Sequence, residues 1–330
     1  MKISVLGAGA WGTTIASHLA EKGLETTIWA LEEKLVLNIN GARENNLYLP
    51  GIRLSNRLKA VKDMEKALNG AELIIIAIPS KFLRDTLSQS KKHIGTKPVI
   101  LSLTKGIERT TFKRPSEMIS EVTGAEKIAA LSGPNLSLEI ARGLPAASVV
   151  ASKDLSTASK IQEILAGATF RVYTSEDIIG VEIGGAMKNV IALAAGICDG
   201  MNLGQNAKSA LIVRGLAEIT RLGTALGARA ETFSGLSGIG DLITTCESPL
   251  SRNHTVGREI ARGKKVNDIL KNMSAVPEGV ETALSAYDLS KKLGVEMPIT
   301  SEVRAVLAEG KDPKQAISVL MTRPPKNESR

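Results

Sequence analysis

The sequence predicts an α/β amino-terminal domain built on a doubly wound parallel sheet, followed by an all-helical carboxyl-terminal domain. Short apolar segments alternate with helical patterns through the first half of the chain, which is typical of a parallel sheet covered by helices on both faces. From residue 181 onward the periodicity is helical, with no convincing strand. The length of 330 residues suits about two domains. We expect these at 1–180 and 181–322, with a disordered tail at 323–330.

The predicted strands are short, apolar and rich in β-branched residues. In order they are 2–7, 25–30, 72–79, 98–104, 128–132 and 146–152. Apolar residues three and four positions apart predict helices between them, at 10–22, 31–40, 64–69, 81–92, 114–123 and 135–142. The segments 216–226 and 279–293 show the same spacing within the helical domain.

The composition argues against several classes of protein. Aromatic residues make up only 3% of the chain, which leaves little for stacking nucleic-acid bases. The net charge is +8, and residues 311–330, with five basic and two acidic side chains, carry +3 of it. The remaining excess suits a small anionic ligand without requiring DNA. Two cysteines, Cys198 and Cys246, make neither a disulfide framework nor a cysteine-rich zinc site, so no metal is expected.

The first residues, MKISVLGAG, begin a strand at once and leave no room for a signal peptide. No apolar run approaches the roughly 20 residues that span a bilayer. We therefore expect a soluble, cytoplasmic protein with no membrane insertion.

Residues 7–12 (GAGAWG) match the pattern GxGxxG between the first strand and the first helix. In this context Gly7 permits a tight turn, Gly9 lets a pyrophosphate approach the backbone, and Gly12 lets helix and strand pack closely. The amide groups at the helix start would bind the phosphates. The motif predicts a Rossmann-type dinucleotide site; the alternative is a glycine-rich turn that binds nothing.

The residues after the second strand bear on the choice of cofactor. An acidic residue there binds the adenine ribose of NAD, whereas an arginine accommodates the 2′-phosphate of NADP. Here Glu32 or Glu33 favours NAD, although Lys34 follows and is long enough to reach a phosphate. The alternative is that these charges form only a solvated helix start.

A nicotinamide enzyme needs a group that exchanges a proton beside the carbon that exchanges hydride. The histidines His18, His93 and His254 are poor candidates, because each reads as exposed or merely packed. Lys188 is a better one, since burial in an otherwise apolar helix would lower the pKa of its ammonium group. The small residues 184–186 would let a substrate or cofactor approach. The alternative is a lysine that snorkels at a helix edge.

Other polar groups follow strands or glycine-rich turns. Lys105 follows the carboxyl end of a predicted strand, where ligands bind in open α/β sheets. Residues 131–135 turn from strand to helix and form a natural nest for an anion. Asp241 follows a glycine-rich turn, and Arg252, within 248–253 (SPLSRN), is suited to clamp a phosphate. Taken singly, each stretch reads equally well as a loop with a helix cap.

In combination these residues resemble the bacterial NAD(P)-dependent sn-glycerol-3-phosphate dehydrogenase family, over nearly the whole chain. The stretches that carry the resemblance are GAGAWGTT (7–14), NLYLPGI (46–52), AIPS (77–80), SLTKGIE (102–108), LSGPN (131–135), ARGLPAASVVAS (141–152), VEIGGAMKNVIALAAGICDG (181–200), NAKSALIVRGLAEITRLG (206–223), GLSGIGDLITTC (235–246), SPLSRN (248–253), PEGVETA (277–283) and VEMPI (295–299).

The resemblance implies reversible reduction of dihydroxyacetone phosphate to sn-glycerol 3-phosphate, a phospholipid precursor, with NAD or NADP as cofactor. It implies Lys188 as the proton acceptor in the oxidation direction, and we expect Asp241 to orient it. The turn motif and the position after the second strand predict Gly7, Gly9, Gly12 and Glu32 as cofactor-binding residues; the resemblance adds Ala10, Trp11, Lys105, Ser137, Arg252, Val276 and Glu278. The implied substrate-binding residues are Lys105, Gly133, Asn135, Lys188, Asp241, Ser251, Arg252 and Asn253.

Three positions depart from the family pattern. Asn135, Leu136 and Ser137 stand where the family often has Ser-Phe-Ala, so the Asn135 amide would replace a hydroxyl. Glu32 stands where many members have a basic residue, which argues against a strong preference for NADPH. Ala10 replaces a common serine in the dinucleotide turn.

Two other functions compete with this interpretation. A hydroxy-acid dehydrogenase of the same build would carry a carboxylate clamp without SPLSRN. A non-catalytic NAD(H) sensor would need none of Lys188, Lys105, Asp241 and Arg252, so their joint presence argues against it. The expected partner is a small-molecule substrate and not a nucleic acid; a homodimer is left open.

Overall fold

The computed structural model describes residues 1–95, 98–273, 277–325 and 327–328. Its amino-terminal part is an eight-stranded sheet in the order β3-β2-β1-β4-β5-β6-β7-β8. The strands are β1 (Lys2–Leu6), β2 (Glu25–Trp29), β3 (Lys59–Val61), β4 (Leu73–Ile76), β5 (Val99–Ser102), β6 (Ile128–Ser132), β7 (Ala146–Ala151) and β8 (Phe170–Ser175). Between them lie α1 (Ala10–Glu21), α2 (Glu33–Gly41), α3 (Met64–Leu68), α4 (Ser80–Ser90), α5 (Pro115–Thr123), α6 (Ser137–Ala141) and α7 (Leu155–Leu165).

The chain order reverses beside β1, which lies between β2 and β4 and is parallel to both. Ile3, Val5 and Leu6 are fully buried in β1. Since Val5 and Leu6 point to opposite faces, helices cover the sheet on both sides. The predicted doubly wound sheet is confirmed, with its switch point at the glycine-rich turn.

Three elements escaped prediction, and each lacks a clear sequence signal. The strand β3 has only three residues at one edge of the sheet. The other edge strand, β8, exposes Arg171 and Tyr173 on one face, so it has no continuous apolar run. Helix α7 begins at an Asp154 cap three residues after β7, and its first turns carry Ser156, Thr157 and Ser159, which are weak helix formers.

The expectation of a wholly parallel sheet was wrong at one position, because β7 runs antiparallel to β6. A parallel connection needs a helix that carries the chain back across the sheet. Here the connection contains only the five-residue α6, where the Ser137 carbonyl oxygen accepts a hydrogen bond from Thr14 Oγ1 at 3.2 Å. The chain therefore stays at the carboxyl end of the sheet, and β7 starts beside the end of β6.

The rest of the described chain is helical and packs around α8 (Ile178–Gly200). The helices that follow are α9 (Gln205–Ala225), α10 (Asp241–Glu247), α11 (Arg252–Ala261), α12 (Val266–Lys271), α13 (Glu278–Leu293), α14 (Pro298–Glu309) and α15 (Pro313–Met321). The sequence-based statement that no apolar run approaches membrane-spanning length was wrong for α8, whose 23 residues have a window of mean hydropathy 1.5. That window is 94% buried within the protein, which is typical of the core helix of a soluble protein.

Helix α11 crosses α8 at very short range. A Cβ atom at Gly196 would clash with the His254 carbonyl oxygen, and one at Gly257 would clash with the Leu193 carbonyl oxygen. Gly196 and Gly257 therefore serve the packing of two helices within this chain.

The carboxyl terminus is attached to the body as far as Arg323, which forms an ion pair with Glu296. Lys326, Ser329 and Arg330 lie outside the described residues. The disordered tail at 323–330 stays a prediction.

Candidate active site

A buried carboxylate shared by two lysines lies between the sheet and the helical layer. Asp241 is fully buried at the start of α10. Its Oδ2 accepts a hydrogen bond from Lys105 Nζ at 2.7 Å, and its Oδ1 accepts one from Lys188 Nζ. Lys105 also donates to the Gly133 carbonyl oxygen at 3.2 Å. Four residues predicted from separate stretches of sequence thus meet at one point.

Close packing of α8 brings Lys188 to this cluster. A Cβ atom at Gly184 would clash with the Ser237 carbonyl oxygen, and one at Gly185 would lie 2.5 Å from Ser132 Oγ. The prediction that these small residues admit substrate or cofactor was therefore wrong, since protein atoms occupy that space. The glycines let α8 approach the end of β6 and the turn before α10.

The three charges shift one another's ionisation. Burial and the nearby Lys105 lower the pKa of Lys188 to about 8, although attraction to Asp241 opposes the shift. Burial alone would raise the pKa of Asp241, but the two lysines outweigh it and the pKa is lowered. Asp241 is therefore ionised at neutral pH, and Lys188 is able to gain and lose a proton there. It does not snorkel, because it is only 8% exposed.

Sequence reasoning missed three polar residues at this cluster. Thr245 Oγ1 accepts a hydrogen bond from Lys188 Nζ at 2.9 Å and lies one helical turn after Asp241, a spacing that would have revealed it. Ser132 Oγ donates to Asp241 Oδ2 at 3.3 Å from the end of β6. Asn189, next to Lys188, accepts through Oδ1 from Asn253 Nδ2 at 2.9 Å.

The glycine-rich turn has the form required of a dinucleotide site. Gly7 has a φ of 110°, and a Cβ there would lie 2.6 Å from the Ala77 carbonyl oxygen. Gly12 lies against the Gly7 carbonyl oxygen, whereas a Cβ at Gly9 would meet nothing within 4 Å. The turn is therefore packed by its outer glycines and open at the middle one. Asn45, which sequence reasoning missed, supports it by donating to the Ala8 carbonyl oxygen at 2.8 Å.

The turn leads directly into α1, which begins with Ala10 and Trp11. Within the described residues no side chain caps this helix, so its first amide groups are available to an anion. Trp11 packs edge-on against Phe170, and its buried Nε1 has no hydrogen-bond partner in the described structure. These features fit a dinucleotide whose pyrophosphate lies on the turn.

Glu32 lies just beyond β2, exposed, and immediately precedes α2 without a side-chain hydrogen bond to the helix start. The Tyr48 hydroxyl donates to Glu32 Oε1 at 3.1 Å and so restrains this side chain. Glu33 forms an exposed ion pair with Lys62 at 3.3 Å, and Lys34 is also exposed. Of these residues, Glu32 is the one that Tyr48 orients.

The predicted anion nest follows β6. Gly133 adopts a φ of 144° against β7. Asn135 accepts a hydrogen bond through Oδ1 from Ser148 Oγ, and its buried Nδ2 has no partner among the described residues. Ser137, the first residue of α6, lies beside α1 through its carbonyl oxygen. The nest thus presents one buried, unpaired donor.

A further group lies at the start of α11. Ser251 caps this helix by accepting from the His254 amide at 3.3 Å, and Arg252 is exposed in its first turn. Asn253 is buried and accepts through Oδ1 from the Gly279 amide at 3.0 Å, so it joins α8, α11 and α13.

Glu278, the first residue of α13, accepts from the Ser80 amide at 3.2 Å and joins the helical layer to the start of α4. Burial raises its pKa to about 7 against the attraction of Arg252. Val276 lies outside the described residues.

The histidines are engaged elsewhere. His18 Nε2 lies 2.8 Å from the Leu165 carbonyl oxygen, and His93 lies 4.0 Å from Glu65. His254 pairs with Asp199 at 2.7 Å, so it is buried and paired. Within the described residues, no three His, Cys, Asp or Glu side chains are placed to hold a metal ion.

Comparison with known families assigns both halves of the chain. Residues 2–158 match the model of the NAD-dependent glycerol-3-phosphate dehydrogenase N-terminus, and residues 177–318 match that of the corresponding C-terminus. The chain belongs to the NAD-dependent glycerol-3-phosphate dehydrogenase family. The resemblance found in the sequence is thereby confirmed, as is a nicotinamide dinucleotide as cofactor.

Individual members of this family match over the full length. Glycerol-3-phosphate dehydrogenase [NAD(P)+] of Syntrophotalea carbinolica is 47% identical over 98% of this chain and 98% of its own. The crystal structure of glycerol-3-phosphate dehydrogenase from Coxiella burnetii is 37% identical with a TM-score of 0.94, covering 98% of this chain and 99% of that one. The enzyme of Saccharomyces cerevisiae is 30% identical with a TM-score of 0.83, covering 97% and 99%.

Proposed function

We propose that this protein catalyses the reversible NAD(P)H-dependent reduction of dihydroxyacetone phosphate to sn-glycerol 3-phosphate. The observation that carries the proposal is the buried Lys188–Asp241–Lys105 cluster, which lies at the carboxyl end of the sheet together with the glycine-rich turn. Membership of the dehydrogenase family supports the same reaction. Neither a sensor nor a simple binding protein needs a buried lysine with a pKa near neutrality.

NAD(P)H, when bound, supplies the hydride. Lys188 donates a proton to the substrate oxygen as the carbonyl is reduced, and takes one back in the oxidation direction. Asp241 orients the Lys188 ammonium, because it accepts a hydrogen bond from it within a buried site. Lys105 keeps the site positively charged where negative charge develops on oxygen.

The substrate phosphate is assigned to Arg252, with Ser251 and Asn253 beside it. Arg252 is exposed at the first turn of α11, where helix amides add to its positive charge. Gly133 and Asn135 approach the substrate from the β6 side. Holding both reactants in place in this way contributes roughly 7–11 kcal/mol at best to lowering the barrier.

On the cofactor side, Gly7, Gly9, Ala10, Trp11 and Gly12 receive the pyrophosphate. Glu32 accepts hydrogen bonds from the adenine ribose and repels a 2′-phosphate, so NADH is the preferred cofactor. Ser137, Val276 and Glu278 complete the proposed cofactor contacts, with Lys105 and Arg252 shared between the two ligands.

The deciding experiment follows the loss of absorbance at 340 nm with dihydroxyacetone phosphate, using NADH and NADPH in parallel. We expect oxidation of both, with a higher kcat/KM for NADH. The Glu32→Ala substitution is expected to bring the kcat/KM values for NADH and NADPH closer together. A folded protein that binds NADH and oxidises neither cofactor would return the choice to a hydroxy-acid dehydrogenase or an NAD(H) sensor.

We also propose that the enzyme acts in the cytoplasm and supplies the glycerol phosphate backbone of phospholipids. We propose that the chain divides into a dinucleotide-binding domain at 1–180 and a substrate domain at 181–322. Light scattering of the purified protein would distinguish a monomer from the homodimer that the sequence leaves open.

A further inference from the structure

The strongest unexplained polar group near the proposed active site is the Asn135 amide. Its Nδ2 atom is buried and has no hydrogen-bond partner among the described residues, although the side-chain Oδ1 is occupied. A buried donor without a partner destabilises the folded protein, so a native structure rarely keeps one for no purpose. A ligand oxygen that enters the site would satisfy it.

The position of Asn135 ties it to the reacting groups. It lies two residues after Gly133, whose carbonyl oxygen accepts a hydrogen bond from Lys105 Nζ at 3.2 Å. Lys105 in turn bonds Asp241, the carboxylate that also holds Lys188. The loop that carries Asn135 is thus fastened to the catalytic cluster.

The orientation of the amide depends on Ser148. This residue is fully buried in β7, and the antiparallel pairing of β6 with β7 brings it beside Gly133, where a Cβ would lie 3.0 Å from Ser148 Cα. A hydroxyl has one proton to donate, and Ser148 donates it to Asn135 Oδ1. This bond directs the carbonyl of the carboxamide toward β7 and leaves the NH₂ group for the ligand.

We propose that Ser148 is a positioning residue that holds the Asn135 carboxamide as a hydrogen-bond donor to an oxygen of the substrate. The inference rests on the proposed function and extends it to a residue outside the set of predicted contacts. A carboxamide turned the other way would present its oxygen to a substrate that carries a phosphate and other oxygen acceptors, and would repel it. Ser148 therefore acts on substrate affinity through Asn135 alone.

The test is a double-mutant cycle read in steady-state kinetics with NADH. Ser148→Ala is expected to raise the KM for dihydroxyacetone phosphate about 3–10-fold, the effect of one hydrogen bond, with kcat and the KM for NADH within about twofold of wild type. In an Asn135→Ala background the same Ser148→Ala change is expected to alter that KM less than about twofold. Asn135→Asp, which keeps the shape but replaces the donor with a negative oxygen, is expected to raise it about 100-fold.

Ser152→Ala is the matched control. The Ser152 hydroxyl donates to the Ile128 carbonyl oxygen at 2.7 Å, just beyond the same strand and away from the nest. Its loss removes a comparable hydrogen bond and is expected to leave the KM for dihydroxyacetone phosphate unchanged.

Three results would overturn the proposal: an equal effect of Ser148→Ala with and without Asn135, a loss confined to kcat, or normal substrate affinity in Asn135→Asp. The wild-type enzyme separates this failure from a wider one. If the wild-type enzyme turns over and Ser148→Ala has the same effect with and without Asn135, only the role of Ser148 is contradicted. If the wild-type enzyme does not turn over, both the proposed reaction and this inference are contradicted.

Discussion

At the residue scale, the central feature is one buried carboxylate that accepts hydrogen bonds from two lysines. Asp241 is fully buried, and Lys105 and Lys188 are both largely shielded from water. With both lysines protonated the cluster carries a net charge of +1. That excess charge in a poorly solvated place makes Lys188 a stronger acid than an exposed lysine.

The pH dependence of the two reaction directions should follow the pKa of Lys188, which burial lowers to about 8. Reduction needs the ammonium form as proton donor, so kcat for dihydroxyacetone phosphate is expected to fall as pH rises through about 8. Oxidation needs the neutral amine, so kcat for glycerol 3-phosphate is expected to rise over the same range. Steady-state rates measured from pH 6 to 10 check both limbs; flat profiles in both directions would contradict the assignment.

Substitution of Lys188 separates proton transfer from simple charge. Lys188→Ala is expected to lower kcat about 10²–10⁴-fold, the usual contribution of a general acid, while NADH binding measured by fluorescence is retained. Lys188→Arg keeps the positive charge but does not release its proton near neutral pH, and is expected to be similarly impaired. Near-normal turnover by either variant would exclude Lys188 as the proton donor.

At the element scale, glycines decide how closely the helices approach. Gly184 and Gly185 admit the end of β6 and the turn before α10, whereas Gly196 and Gly257 admit the backbone of the facing helix. In the sequence Gly184 and Gly185 look like openings for a ligand. The atoms beside a glycine belong to neighbouring elements that are distant in the chain. The local sequence therefore predicted that another group comes close to these glycines, but not whether that group is a ligand or another part of the protein.

The crossing of α8 and α11 should be intolerant of added volume. Gly257→Ala places a methyl group against the Leu193 carbonyl oxygen and is expected to lower the free energy of unfolding by roughly 1–3 kcal/mol. Gly41→Ala is the matched control, because a Cβ at this helical glycine meets nothing within 4 Å. It is expected to stabilise by roughly 0.5 kcal/mol, through helix propensity. Urea unfolding measures the change in the free energy of unfolding for each variant, which should be a loss for Gly257→Ala and a gain for Gly41→Ala. Equal changes in the two variants would contradict the packing argument.

At the scale of the whole molecule, buried polar bonds join the sheet to the helical layer. Glu182 of α8 pairs with Arg114 and accepts from the Ser116 amide at 2.7 Å, so α5 on the sheet is fastened to the helix that carries Lys188. Glu278 joins α13 to Ser80 after β4. These contacts set the two halves of the proposed site against each other, and no sequence pattern shows which residues pair.

Removing the charge of Glu182 should weaken this junction. Glu182→Gln leaves the buried Arg114 without its main counter-ion and is expected to cost about 3 kcal/mol of unfolding free energy. Glu176→Gln is the control, since Glu176 and Arg229 form an exposed ion pair at 3.4 Å whose loss should shift the urea midpoint little. Comparable midpoints for both variants would show that the buried pair contributes no more than a surface pair.

Part of this architecture was predictable because its causes are local. The short apolar, β-branched runs of β1, β4 and β5, the glycines of the first turn and the lysine in an apolar helix all act on their own segment of chain. Edge strands such as β8 were not, because half of their residues face solvent and show no apolar run.

The sequence by itself determined the alternation of strands and helices, the dinucleotide turn and the identity of the ionisable residues, since each follows from short-range sterics and periodicity. Only the tertiary structure decided that β7 runs antiparallel, that Asp241 lies between Lys105 and Lys188, and that Ser148 orients Asn135. These are contacts between segments that are distant in the chain, and burial together with the need to pair buried polar groups selects one arrangement of them.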